Sequence, residues 1–127
     1  MKRILWLDAE PMGCEGLQLL LEREGHKVDL TQELESAVSQ YKVGTYNLVI
    51  AEPYRDCITE DEARISQLKS FLETANRDSQ VMLFTTIDLE FIHSYGMRKG
   101  EHYQHYLQKP ESPTNMKPIV ERILAGN

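Results

Sequence analysis

The chain has 127 residues, a size that suits one domain with a substantial core. Hydrophobic residues make up 41% and charged residues 27%, which excludes a disordered chain. No apolar run approaches the roughly 20 residues that span a bilayer, and a formal charge of −6 argues against direct nucleic-acid binding.

The charge is uneven. Residues 1–90 carry 9 basic and 17 acidic side chains, net −8, whereas residues 91–127 carry 5 and 3, net +2. The last third therefore suits an acidic partner. Met1-Lys2-Arg3 and the apolar stretch behind it have the outline of a secretory leader. Asp8 and Glu10 interrupt that stretch and no small-residue cleavage site follows, so the segment reads as a strand and a cytoplasmic location as the default. Cys14 and Cys57 are too far apart to form a metal or redox motif and read as two reduced thiols.

Strand-like and helix-like segments alternate from end to end, the pattern of parallel strands joined by crossover helices. The first strand covers about Arg3–Asp8. A helix from Pro11 to Glu24 follows, with Leu17, Leu20 and Leu21 on one face and Gly25 as its stop. Lys27–Leu30 is a short second strand, and Thr31 is placed to cap a helix through Tyr41, with Leu34, Ala37, Val38 and Tyr41 at helical spacing. Asn47–Ala51 is almost continuously apolar, as a central strand buried on both faces should be. Thr59 and Glu62 have capping-box spacing and start a helix to about Ala75, with Ile65, Leu68, Phe71 and Leu72 inward. The run Glu60, Asp61, Glu62 complements the positive end of that helix dipole. Val81–Thr85 is the fourth strand, Asp88 caps a helix to about Arg98, and Gln104–Gln108 is the fifth strand. Thr114 then caps a last helix, Asn115–Leu124, whose Pro118 is tolerated only near its first turn.

Five strands and five helices make a doubly wound α/β domain over residues 1–127, a (βα)5 three-layer sandwich with a parallel sheet. Such sheets place ligands and chemistry beyond the carboxyl ends of their strands. Polar residues fall at four of those ends. Asp8 and Glu10 follow the first strand, Glu52 the third, Thr85 the fourth, and Lys109-Pro110 the fifth.

This constellation resembles the receiver domain of bacterial response regulators, and the resemblance covers nearly the whole chain and implies the flavodoxin/CheY-like strand order 2-1-3-4-5. Ile4-Leu5-Trp6-Leu7-Asp8-Ala9-Glu10-Pro11 is similar to the family's opening, where a strand runs into a pair of aspartates. Glu15-Gly16-Leu17, the helix ending Glu24-Gly25-His26, and Tyr46-Asn47-Leu48-Val49-Ile50 continue the match. The resemblance implies a two-component signalling role, in which an aspartate at the third-strand position accepts a phosphoryl group with Mg²⁺ as helper. Glu52 stands at that position, one methylene longer. Asp8 matches the first acid of the pair, and Ala9 replaces the second, the direct metal ligand. Asp8 and Glu52 remain the only weak metal candidates, so the expectation is no cofactor, Mg²⁺ being doubtful. Pro53-Tyr54-Arg55-Asp56 departs from the family's usual loop, and Asp56 is a remote alternative acceptor.

Further roles follow from the resemblance. Lys109 should pair with Glu52, and Lys109-Pro110 resembles a cis peptide of the family. Pro53 restricts Glu52 to extended backbone. Thr85 and Tyr106 match a switch pair, and Glu52 beside Lys109 partly imitates a phosphorylated aspartate, a carboxylate carrying one charge against about two. Tyr95, Met97, Tyr103 and Tyr106 cluster near the fourth helix and fifth strand, on a helix 4–strand 5–helix 5 face for protein partners or a homodimer. His102 and His105, three apart, lack clear further ligands for a metal.

The expected function is a degenerate, non-enzymatic receiver that signals by protein contact without phosphorylation, either alone or as part of a longer regulator. One alternative is a phosphorylatable receiver of unusual geometry. The other, a flavodoxin-like nucleotide- or cofactor-binding enzyme, lacks a Gly-rich loop after the first strand, where Pro11-Met12-Gly13 is a poor phosphate cradle.

Overall fold

A computed structural model describes residues 1–58 and 61–126, with backbone alone for Asp56 and Ile58. Five strands, β1 (Arg3–Leu7), β2 (Lys27–Thr31), β3 (Leu48–Ala51), β4 (Gln80–Thr85) and β5 (His105–Gln108), form one sheet. Every pairing is parallel and the order is β2-β1-β3-β4-β5. Six helices connect or follow them: α1 (Glu15–Arg23), α2 (Leu34–Val43), α3 (Tyr54–Ile58), α4 (Glu62–Asp78), α5 (Leu89–Ser94) and α6 (Pro113–Gly126). The expected fold class is the observed one, with α3 as an unforeseen addition.

Alternation along the strands divides the core into two layers. Ile4, Trp6, Leu48, Ile50, Met82 and Phe84 point to one face, where Leu17 and Leu21 of α1 meet Met116, Val120, Ile123 and Leu124 of α6. Leu5, Leu7, Val49, Ala51, Val81 and Leu83 point to the other, against α2, α4 and α5. All four residues of β3 are buried, because helices cover both of its faces. The chain leaves β1 for β2 on one side and returns to β3 on the other. Successive connections therefore diverge between β1 and β3, and a crevice opens at their carboxyl ends.

Several helix ends differ from the sequence expectation. A 3₁₀ turn over Pro11–Cys14 precedes α1, which ends as expected at Gly25, whose φ of +90° accompanies a bond from the His26 amide to the Leu21 carbonyl. Thr31 caps nothing. It pairs with Leu7 as the last residue of β2, and its carbonyl accepts from the Asp8 amide at 2.9 Å, so sheet pairing outcompetes capping. Helix α2 starts after Glu33, whose side chain makes no cap bond.

The α4 start belongs to Asp61, which accepts from the amides of Ala63 and Arg64 at 3.0 and 3.4 Å. Thr59 and Glu60 lie outside the described residues, and the expected Thr59–Glu62 box lies outside them as well. Asp88 caps α5 as expected, accepting from the Phe91 amide at 2.9 Å, but the helix stops at Ser94 because Gly96 turns left-handed at φ +87°. At α6, Ser112 accepts from the Asn115 amide at 3.2 Å, Pro113 takes the first helical position, and Thr114 lies inside the helix. Pro118 therefore sits beyond the first turn. It is exposed, as is Thr114, so water can reach the carbonyl it leaves without a helical donor.

Replacing Asp61 by Ala should cost about 1 kcal/mol of stability, the ordinary worth of an N-cap. Urea unfolding of the variant beside the parent checks this, and an unchanged midpoint would move the helix start elsewhere.

Candidate functional site at the carboxyl ends of the strands

The ladder carries four of the expected residues to one place. The Glu52 amide donates to the Leu7 carbonyl at 2.9 Å, which sets Glu52 beside Asp8 just past the β1–β3 pairing. Thr85 pairs with Gln108, and the Lys109 amide donates to the Thr85 carbonyl at 2.9 Å, which aims Lys109 back across the strand ends. The Lys109-Pro110 peptide is cis.

Asp8 is 2% exposed, so every lone pair it keeps must find a donor inside the protein. Its Oδ1 accepts from the Glu10 amide at 2.9 Å. Its Oδ2 accepts from Lys109 Nζ at 2.8 Å, with Cys14 Sγ at 3.7 Å. The Cys14 thiol is pushed up to about 12, by burial first and by the Asp8 charge second, so it stays neutral. The Lys109 ammonium also lies 5.2 Å from the Phe84 ring centroid, within cation–π range.

Glu52 completes the group. Its Oε1 is 3.6 Å from Lys109 Nζ, its Oε2 accepts from the Tyr54 amide at 3.1 Å, and the Thr85 hydroxyl donates to the carboxylate. Burial raises its pKa above the ordinary carboxyl value, against the lowering effects of Thr85, the Tyr54 amide and Lys109. Lys109 answers in kind. Burial alone would lower its pKa, but the hydrogen bond and charge of Asp8, helped by Glu52, raise it.

The sequence pointed to Glu52 as the partner of Lys109, whereas Asp8 is nearer by 0.8 Å. The Glu52 carboxylate is drawn aside by Tyr54 and Thr85, while the short Asp8 side chain faces the ammonium directly. Glu10 joins through its backbone only, with its side chain exposed on the turn.

Mg²⁺ fits these residues poorly. It wants near-octahedral oxygen ligands. Ala9 supplies none from its side chain, and an ammonium already faces both Asp8 Oδ2 and Glu52 Oε1. The Asp56 side chain is outside the described atoms, so its role as an alternative acceptor has no geometry to support it.

A path of contacts leads away from the pocket. The Thr85 hydroxyl oxygen accepts from the Ile87 amide at 3.1 Å, and the Tyr106 hydroxyl donates to the Ile87 carbonyl at 2.5 Å. Thr85 and Tyr106 are thus joined through one backbone unit, with Tyr106 half-buried against the core. No feature of the sequence marked Ile87 for this place.

The anticipated partner face needs revision. Met97 is wholly buried and Tyr103 is 2% exposed, with its hydroxyl 2.8 Å from His93 Nε2, so both are core. Tyr95 is half-buried and stacks on Phe91 with ring centroids 5.2 Å apart. The exposed apolar groups of this region are Leu89 and Phe91. Their signal was the Phe91–Tyr95 spacing of four on one helical face.

The two histidines do not meet. His105 Nε2 lies 3.0 Å from Gln80 Oε1, and His102 Nδ1 accepts from the Arg98 amide at 3.0 Å. His102 does converge with Glu73 and Glu101, ligand atoms within 4.8 Å of one another. Accepting at Nδ1 puts the neutral ring's proton on Nε2, the atom that faces Glu101 at 3.7 Å. That arrangement favours an N–H pointing at a carboxylate over a metal ligand.

No family model matches the sequence, and no curated protein matches it. Solved structures match its fold closely. A response regulator from Thermotoga maritima aligns with a TM-score of 0.76 at 15% identity, covering 99% of both chains. An orphan response regulator of H. pylori gives 0.74 at 17%, covering 97% of this chain and 96% of that one. The beryllofluoride-activated NtrC4 receiver domain dimer gives 0.74 at 20%, covering 98% and 97%. The structural neighbours are thus response regulator receiver domains, and the chain has their fold, the CheY-like α/β sandwich. Among the described residues no helix is long and apolar enough to cross a membrane.

The raised pKa of Glu52 has a signed consequence. Unfolded, the carboxyl titrates near its ordinary 4.5; folded, it titrates higher. Between the two values the folded state binds more protons, so this group's contribution grows more favourable as pH falls through the folded value toward 4.5. The stability difference between the parent and Glu52→Gln should therefore shift in the parent's favour from neutral pH down to that limit. Urea unfolding across the window measures it, and a shift of opposite sign would contradict a buried, proton-hungry Glu52.

Proposed function

We propose that the chain is a single receiver-like signalling unit that acts by protein contact without accepting phosphate. Glu52 at the carboxyl end of β3, engaged by Thr85, Tyr54 and Lys109, is the observation that carries this reading. A carboxylate displaced by about 1 Å from its productive place costs on the order of a hundredfold in rate. Ala9 in place of a second acid removes a ligand for the cation that would stabilise the transferring group. Both defects act on one step.

The output would be a surface held in one state. Glu52, Thr85, Ile87 and Tyr106 form a connected path from the pocket to β5, and α5 beside it exposes Leu89 and Phe91 with Tyr95 stacked behind. This face, with β5 and α6, is the proposed contact for a protein partner or a second copy, and the NtrC4 receiver, similar in fold, is a dimer. A cytoplasmic setting and the absence of an enzymatic activity of its own go with the reading.

Incubation with acetyl phosphate and Mg²⁺ tests it by intact mass. The parent should gain no phosphoryl group, whereas the double variant Ala9→Asp, Glu52→Asp should gain one. Phosphorylation of the parent at Glu52 or Asp56 would overturn the proposal in favour of an active receiver of unusual geometry.

A further inference from the structure

The acidic pocket holds the buried Asp8 carboxylate, the largely buried Glu52 carboxylate and one ammonium, and every oxygen has a donor or cation at hand. Asp8 Oδ1 takes the Glu10 amide and Oδ2 takes Lys109 at 2.8 Å. Glu52 Oε2 takes the Tyr54 amide, the Thr85 hydroxyl donates to the same carboxylate, and Oε1 faces Lys109 at 3.6 Å. Lys109 has little freedom to leave. Its backbone amide is tied to Thr85, its side chain runs past the Phe84 ring, and that side chain is 23% exposed.

We infer that the Lys109 ammonium is the built-in counter-ion of Asp8 and Glu52, occupying the place of a divalent cation and completing the pocket without one. The inference concerns the site of the function proposed above and rests on that reading. A divalent ion entering here would meet a fixed positive charge at contact distance from the Asp8 oxygen it needs. It would also have to break the Tyr54 or Thr85 bond to gain a second carboxylate oxygen. Three separate strand ends are thereby joined by one internal cation: β1 through Asp8, β3 through Glu52, and β5 through Lys109.

The converse follows from the charges. With the ammonium removed, two carboxylates remain buried side by side without compensation, a pattern that favours oxygen-seeking divalent cations. Lys109→Met should turn a cation-indifferent pocket into a cation-dependent one.

The test uses the full chain, MgCl₂ at millimolar concentration, and NaCl matched for ionic strength. For the parent, thermal midpoints in the two salts should coincide, and the amide NMR signals of Asp8, Glu10, Glu52 and Tyr54 should show no saturable shift with Mg²⁺. For Lys109→Met, the midpoint should fall by several degrees, and MgCl₂ should restore part of the loss where NaCl does not. Saturable Mg²⁺ shifts in the parent would overturn the inference, as would a variant as stable as the parent or one blind to Mg²⁺. Should the variant not fold, the parent's NMR titration decides alone. A parent that binds Mg²⁺ yet takes up no phosphoryl group would end this inference and leave the proposed function standing. A parent phosphorylated by acetyl phosphate would end the proposed function and this inference with it.

Discussion

One ammonium between two buried carboxylates governs this end of the sheet. Charges taken out of water are tolerated only when paired and hydrogen-bonded. Asp8, at 2% exposure, meets that condition through the Glu10 amide and Lys109. The arrangement leaves one net negative charge, which falls on Glu52, the more distant partner at 3.6 Å. Breaking a buried pair by deleting one member costs about 3–5 kcal/mol, a large share of a small domain's stability. The pocket therefore reports on the fold as much as on any ligand. It forms only when β1, β3, β4 and β5 end in register.

That register was the legible part. Parallel strands covered on both faces read as apolar runs, so Leu48–Ala51 and Val81–Phe84 declared themselves, and the polar residues closing each run marked one rim. Alternation with helices implied parallel strands, and the family resemblance supplied their order. Local competition was less legible. Thr31 has the chemistry of a cap, but its carbonyl and its pairing with Leu7 extend the strand instead. Ser112 took the cap assigned to Thr114, because runs of polar residues offer several candidates and only the backbone path selects one.

Side-chain reach and burial lay further from the sequence. Aromatic and methionine enrichment near Tyr95–Tyr106 is equally consistent with packing and with a surface. Packing took Met97 and Tyr103, leaving Phe91 and Leu89 outside. The choice of Lys109 between Asp8 and Glu52 depended on differences below 1 Å, set by a backbone amide at Tyr54 that no pattern announces. The short helix α3 that presents this amide was itself unanticipated.

The length of the Glu52 side chain has a structural consequence of its own. It carries one oxygen past the strand end to the first residue of α3, while the other still faces the ammonium. Pro53 stiffens the backbone between these two anchors, because the residue before a proline is held extended. The loop after β3 is consequently fastened to the strand ends by the Glu52 side chain. A group bound at both ends in this way has little capacity left to respond to a small ligand. Rearrangement of the pocket would have to come from a force large enough to displace α3 or β5 as a whole, and on the function proposed above, protein contact on the α5–β5–α6 face would supply it through Tyr106 and Ile87.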